Sequence, residues 1–327
     1  MFNTQLIRKL TSGGANELRD AILDCRQSFL AAWFFSLFVN ILMLTPTIYM
    51  LELYDRVITS RSMDTLFGIT IIVVFMFVTL WLLQFVQSNI LIRIGSKLDK
   101  SINNRLFNAI FQRSLRQPGV DIGQAISDLT SIRQFLTGQG ILAFFDLPWS
   151  PIYLLVLFWA HPLLGWFSVG AAIISFILML VNEYVTKKPL EEANKKAVVS
   201  RNYASQNLRN AEIIHALGME ESIRKKWLHG HFDFLSKQAQ ASEKASVFSH
   251  LSRVWRTMAQ SFILGLGCYL ALKNEVTPGL MIAGSILMGR ALAPLDMIIS
   301  TWKLFSAARV SYQRLSDLLS ETPPVKR

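Results

Sequence analysis

Charge is scarce in this chain. Asp, Glu, Lys and Arg make up 17% of its 327 residues while 52% are hydrophobic, against about a quarter charged in an ordinary soluble domain. The apolar residues are also clustered, which excludes a soluble globular protein. Cysteine is nearly absent: Cys25 lies in a polar segment and Cys268 in an apolar run, so no disulfide framework is expected. No Gly-Lys pair occurs anywhere. The phosphate-cradling loop G-x-x-x-x-G-K-S/T is therefore missing, and the chain alone is expected to hydrolyse nothing. No Gly-x-Ser-x-Gly sequence is present, and His229 and His231, two apart, fall on different helix faces without a close third ligand. No catalytic, cofactor-binding or metal-ligating residue is expected. Acid is scarcer than base, 22 residues against 33. Without any nucleic-acid-binding module, that excess points to an anionic lipid leaflet and excludes nucleic acid as a partner. The first 27 residues hold no early apolar core, so no removable signal peptide is expected.

Long apolar runs dominate what remains. Residues 142–162 read LAFFDLPWSPIYLLVLFWAHP, and after His161-Pro162 a second run continues to Val181. Two such runs around a two-residue turn read as a helical hairpin across a bilayer, where a backbone must satisfy its own hydrogen bonds. Further spans are expected at residues 29–53, 66–92, 258–272 and 279–299, giving six. Pro46 cannot donate to the carbonyl of Leu42 and predicts a kink in the first span. Pro278 is well placed to open the sixth. Residues 55–64 and 273–277 read as short turns.

Between the second and third spans, and between the fourth and fifth, the helical pattern runs far beyond the bilayer. No strong stop signal interrupts residues 65–115, which as one helix would measure about 76 Å at 1.5 Å per residue, against a hydrocarbon core of about 30 Å. The polar-faced helices of residues 120–140 and 219–257 return from the two excursions, with Gly218 breaking the second. Near the N-terminus, Leu18, Ala21, Ile22 and Cys25 make a helical stripe with Asn16 as a cap. That helix either lies on the inner leaflet or packs as an ordinary helix. Lys and Arg number 29 on the side of the excursions and termini and 3 in the short turns, which places both termini and both excursions in the cytoplasm.

Four segments sharpen the reading: residues 45–57 (TPTIYMLELYDRV), 144–153 (FFDLPWSPIY), 208–212 with 216–219 (LRNAE and ALGM), and 289–295 (GRALAPL). Within them, Pro148 and Pro151 bend a helix start, where Asp146 is either solvated or faces a path. Arg290 lies about 18 Å from Pro278 along a helix, near mid-bilayer, where a charge costs about 2.5–3.5 kcal/mol. Pro294 cannot bond the carbonyl of Arg290, so a charge and a kink coincide. That combination suits the wall of a water-filled path; pairing with a neighbouring helix is the alternative.

In this order, the four segments resemble the permease part of bacterial type I secretion ATP-binding-cassette exporters, in particular the branch secreting proteases, lipases and surface-layer proteins. The resemblance implies an all-α membrane protein with six transmembrane helices and long cytoplasmic extensions. It divides the chain into a cytoplasmic N-terminal segment with an amphipathic elbow helix (1–27), the six-helix domain (28–319) and a linker toward a nucleotide-binding domain (320–327). It further implies that the turns at Arg116, Gln117, Pro118 and Gly119, and at Gly218, Met219, Glu220 and Glu221, couple to ATPase domains, in a following domain or a separate chain, that bind ATP and Mg. Asp146, Arg290 and Pro294 become candidates for the translocation path. The implied partners are a second copy of the chain, a periplasmic adaptor, an outer-membrane channel and an unfolded cargo with a C-terminal signal, all acting at a bacterial inner membrane. A lipid or peptide exporter of the same fold, or a non-transporting scaffold, is the alternative.

Overall fold

The computed structural model describes residues 13–116 and 122–322. Every regular element among them is helical: α1 (Gly13–Leu23), α2 (Arg26–Leu42), α3 (Thr45–Glu52), α4 (Met63–Arg116), α5 (Ile122–Thr137), α6 (Gln139–Asp146), α7 (Ser150–Ala160), α8 (Pro162–Arg209), α9 (Ala211–Ala216), α10 (Glu220–Leu272) and α11 (Pro278–Glu321). A π-helical turn, Leu53–Val57, and the short helical piece Ile58–Ser60 extend α3, and a 3-10 turn, Leu147–Trp149, joins α6 to α7. The chain is an all-α, multi-pass membrane protein. Five stretches are long and apolar enough to cross a bilayer: Arg26–Ser60, Met63–Leu115, Gln139–Ala160, Pro162–Arg209 and Pro278–Glu321.

The expected fifth span, residues 258–272, forms the end of α10, which is not among those five. Its apolar part is short, and Arg253 and Arg256 lie just ahead of it. It nevertheless stands between α8 and α11 and packs on both. The Glu275 carboxylate beyond it lies 3.3 Å from His161 Nε2 in the turn before α8. Asp55 ties the remaining short turn to the same end, accepting from Gly279 N at 2.9 Å and from the Thr277 hydroxyl at 2.5 Å. The three short turns therefore lie together.

Local chemistry explains each reversal. Pro46 stands in the first turn of α3, and the helix breaks at Met43 and Leu44 just before it, as a proline that cannot donate to Leu42 requires. The turn expected over residues 55–64 shrinks to Arg61 and Ser62, with Arg61 left-handed at φ 52°, because the π turn prolongs the helix through Asp55. His161 is extended, and its Nδ1 accepts from Leu163 N at 3.2 Å, capping α8 with Pro162 in its first turn. Thr277 caps α11 in the same way.

Small residues bring the spans close, as helices in lipid require. At buried Gly165 a Cβ would lie 2.3 Å from the Phe158 ring, so α7 and α8 meet on a bare backbone. Gly165→Leu is expected to cost about 1–3 kcal/mol, read as a lower thermal midpoint of the purified chain in detergent. A midpoint equal to the parent's would refute the close packing.

The last helix is the centre of the molecule. α11 touches α1, α3, α5, α6, α7, α8 and α10, and 61% of its most apolar stretch is buried against 11% for α4. Most of α4's span therefore faces outward, where lipid would cover it. Away from the turns, Leu18 and Ala21 of α1 bury against Leu98, Ile102 and Leu106 of α4 and Leu315, Leu318 and Leu319 of α11. Glu17 meets Arg105 Nε at 2.8 Å, and Arg105 also donates to the carbonyls of Leu319 and Thr322. The N-terminal stripe thus packs on protein rather than lying on a leaflet. The Asn16 side chain and residues 323–327 of the expected linker lie outside the described residues.

Candidate functional site

The three path candidates share one cavity. Asp146, Arg290 and Pro294 line a space of about 280 Å³ with Asn40, Gln84, Gln87, Ser88, Gln139 and Tyr153. At 1.5 Å per residue, Arg290 lies about 18 Å and Gln84 about 32 Å from the turn ends of their helices. The cavity therefore occupies the half of the bilayer nearer the long excursions.

One wall is a satisfied polar network. Asp146 Oδ1 accepts from the Ser36 hydroxyl and from Asn40 Nδ2 at 2.8 Å. The Tyr153 hydroxyl shares its one proton between the Asn40 backbone carbonyl and its Oδ1, both 2.9 Å away. Asp146 thus pins α6 to α2 and is not a solvated helix start. Buried Gln87 reaches the Ala32 carbonyl at 3.2 Å from α4. Arg290 differs: among the described residues it makes neither a hydrogen bond nor an ion pair, so the pairing alternative does not hold in this conformation. α11 continues through Pro294, whose missing N–H leaves the Arg290 carbonyl without its helical donor. Ser36 and Asn40 escaped sequence reasoning. Their spacing of four puts them on one face of an otherwise apolar helix, the signal that could have found them.

The second excursion ends in a built turn. α8 and α10 run about 72 and about 80 Å at 1.5 Å per residue and pack along each other. Lys196 reaches Asp233 at 3.0 Å and Lys237 reaches Glu192 at 3.4 Å between them. The hydrogen bond from Lys196, and then its charge, hold the Asp233 carboxyl below the usual range. Gly218 is left-handed at φ 62°; Met219 N bonds the Ile214 carbonyl and Gly218 N the His215 carbonyl, each at 3.0 Å. This is the Schellman end of a helix, which favours glycine. Glu220 meets His215, and Glu221 meets Lys225 at 3.0 Å, both acids in the first turn of α10 where the helix dipole favours them. The whole tip is exposed, including Leu208, Ile213, Leu217 and Met219. An apolar groove of about 410 Å³ opens behind it, lined by Tyr203, Leu208, Ile214, Ile223 and Trp227 among others. Short α9 was not foreseen as a separate helix, although its first residues closed the LRNAE segment. At the first excursion, Arg116 ends α4; its side chain and Gln117, Pro118 and Gly119 lie outside the described residues.

The helical membrane bundle agrees with the fold that the four sequence segments implied. Residues 29–294 match the ABC transporter transmembrane region. The chain belongs to that family. Its ABC transporter transmembrane region takes in Asp146, Arg290, Pro294 and the Gly218 turn and stops within α11. The chain is 35% identical over 316 residues to the type I secretion system ATP-binding protein PrsD of Rhizobium meliloti (strain 1021), covering 96% of this chain and 54% of that one. It is 21% identical over 305 residues to the leukotoxin translocation ATP-binding protein LktB of Mannheimia haemolytica and to the toxin RTX-I translocation ATP-binding protein of Actinobacillus pleuropneumoniae, covering 92% of this chain and 43% of each. The resemblance to type I secretion exporters read from the motifs therefore holds. The chain spans about half the length of these curated relatives.

Proposed function

We propose that two copies of this chain enclose the export path of an ATP-driven type I secretion system in a bacterial inner membrane, with both termini and both excursions in the cytoplasm. The observation that carries the reading is the pairing of a polar cavity at bilayer depth with levers more than twice as long as a bilayer core is thick. Helices of that length gain nothing from lipid beyond about 30 Å; as rigid rods they transmit motion. Nucleotide-binding domains, in the same polypeptide or a separate chain, would seat the exposed turns at Gly218–Glu221 and at 116–119, and would supply ATP and Mg. The path would take an unfolded protein with a C-terminal signal and hand it to a periplasmic adaptor and an outer-membrane channel. One copy has a cavity of about 280 Å³, too small for a polypeptide to pass, which favours a shared path. The names of the relatives, a type I secretion protein and two toxin translocators, favour protein cargo over lipid.

Transport into inverted vesicles tests this reading. Vesicles carrying the full exporter should take up an unfolded secreted protein in an ATP-dependent manner and leave a fluorescent phospholipid in place. Lipid movement without protein movement would make the chain a lipid exporter. Movement of neither, with residues 184–257 cleaved from the periplasmic face, would overturn both function and orientation.

A further inference from the structure

We propose that Arg290 is a carboxylate hook: it binds a carboxylate of the travelling polypeptide as that chain crosses the lever-side half of the bilayer. This rests on the path reading above and names the chemistry recognised there. A guanidinium at bilayer depth is normally neutralised by a partner, yet the one other charged group on this cavity, Asp146, is held by neutral donors and makes no ion pair with Arg290. Asp146 already accepts from Ser36 and Asn40, while Gln84, Gln87, Ser88 and Gln139 are neutral. Arg290 alone is unpaired. It lies within electrostatic reach of the Tyr153 hydroxyl, as Asp146 does, but among the described residues none comes within ion-pair distance of it.

The surroundings suit a carboxylate on an extended chain. The guanidinium fork matches a carboxylate with two parallel N–H bonds. Amides from α4 and α6 offer donors and acceptors that a peptide backbone can use. Ala293, Pro294 and Met297 continue the same wall on α11 and give the hook an apolar floor. A carboxylate can come from the chain terminus or from Asp and Glu side chains. The chemistry is shared, and the test separates the sources.

Binding of dye-labelled peptides to the full chain in lipid nanodiscs, followed by fluorescence anisotropy, provides that test. The probes are three unstructured Gly/Ser-rich peptides of about fifteen residues. One has two internal Glu residues and a free terminal carboxylate, one has the same Glu residues and a terminal amide, and one has Gln in place of Glu and a free carboxylate. The parent is expected to bind the first at least tenfold more tightly than Arg290→Gln does, with Arg290→Lys between them because it keeps the charge and loses the fork. Discrimination that persists with the amide assigns the hook to acidic side chains; discrimination that persists with the Gln peptide assigns it to the terminus. Equal binding of all peptides by parent and Arg290→Gln would overturn the hook and leave the path intact. Binding of no peptide by either protein would overturn the path reading and the hook with it. Removing a charge from the bilayer lowers the cost of insertion, so Arg290→Gln is expected to fold, and its thermal midpoint verifies this.

Discussion

Gly218→Pro is expected to abolish cargo export by the full exporter while leaving the spans inserted. Gly218 holds φ 62° and its N–H bonds the His215 carbonyl at 3.0 Å. Proline has no N–H and its ring fixes φ near −65°, so the substitution removes a bond and reverses the backbone at the only joint between α9 and α10. The damage stays local, because the tip stands tens of ångströms from the bilayer along helices that rise about 1.5 Å per residue. Gly218→Ala separates strain from crowding. Nothing lies within 4 Å of a Cβ placed there, so alanine pays only the left-handed cost of about 1–2 kcal/mol and should retain part of the export. Charge reversal at Glu220 and Glu221 removes two acids from the start of α10, worth about 0.3–1 kcal/mol each. It should uncouple more than it destabilises. The measurement is ATP hydrolysis by the full exporter with and without cargo: basal turnover persists and stimulation disappears. Full stimulation in Gly218→Pro would show that the turn transmits nothing.

Asp128→Ala should be the most destabilising of the single substitutions considered. Asp128 is 3% exposed and accepts four contacts: Arg314 Nε at 3.0 Å, Arg314 Nη2 at 2.5 Å, the Ser311 hydroxyl at 2.9 Å and Gln124 Nε2 at 2.9 Å. This cluster fastens α5, which returns from the first excursion, to the C-terminal half of α11. Breaking a buried ion pair from one side costs about 3–5 kcal/mol, because the remaining charge loses its partner. Arg314 is about a third exposed and can regain water, which favours the lower end of that range. Replacing both partners, Asp128→Leu with Arg314→Leu, should cost less than Asp128→Ala alone. Denaturant unfolding in detergent micelles checks both values. A loss under about 0.5 kcal/mol for Asp128→Ala, or a double variant worse than the two singles together, would remove this cluster from the stability of the fold.

Helix order and reach are legible in the sequence because hydropathy and proline act locally. Pro46 breaks its helix where a missing donor predicts, and Gly218 ends α9 where a left-handed residue is needed. The turn before α4 was harder to read, since residues 55–64 look polar and loop-like. A π turn stabilised by Asp55 reaching Gly279 and Thr277, more than two hundred residues away, keeps most of them helical. A separation of 186 residues hides the Asp128–Arg314 pair, and the Ser36–Asp146–Asn40 network spans more than a hundred. Arg290 was visible as a charge out of place within an apolar span, and Asp146 as a charge at the edge of one. Their common cavity was not, because the rotation of each helix about its own axis decides which faces meet. The N-terminal stripe was visible as amphipathic, but amphipathicity alone does not distinguish a lipid surface from the flank of α4.

The end of α10 carries a consequence for the surrounding lipid. Residues 258–272 supply about 22 Å of apolar helix at 1.5 Å per residue, against a hydrocarbon core of about 30 Å. α8 and α11 shield part of it, and Gly267 meets Met281 of α11 so closely that a Cβ would sit 3.0 Å away. Phe262, Tyr269 and Leu272 remain uncovered. Acyl chains at that flank would shorten or tilt to follow the protein, and such hydrophobic mismatch costs fractions of a kcal/mol per Å. A bilayer thinned on the side where α10 leaves it would relieve that mismatch, and membrane thickness would then load this helix more than the other spans.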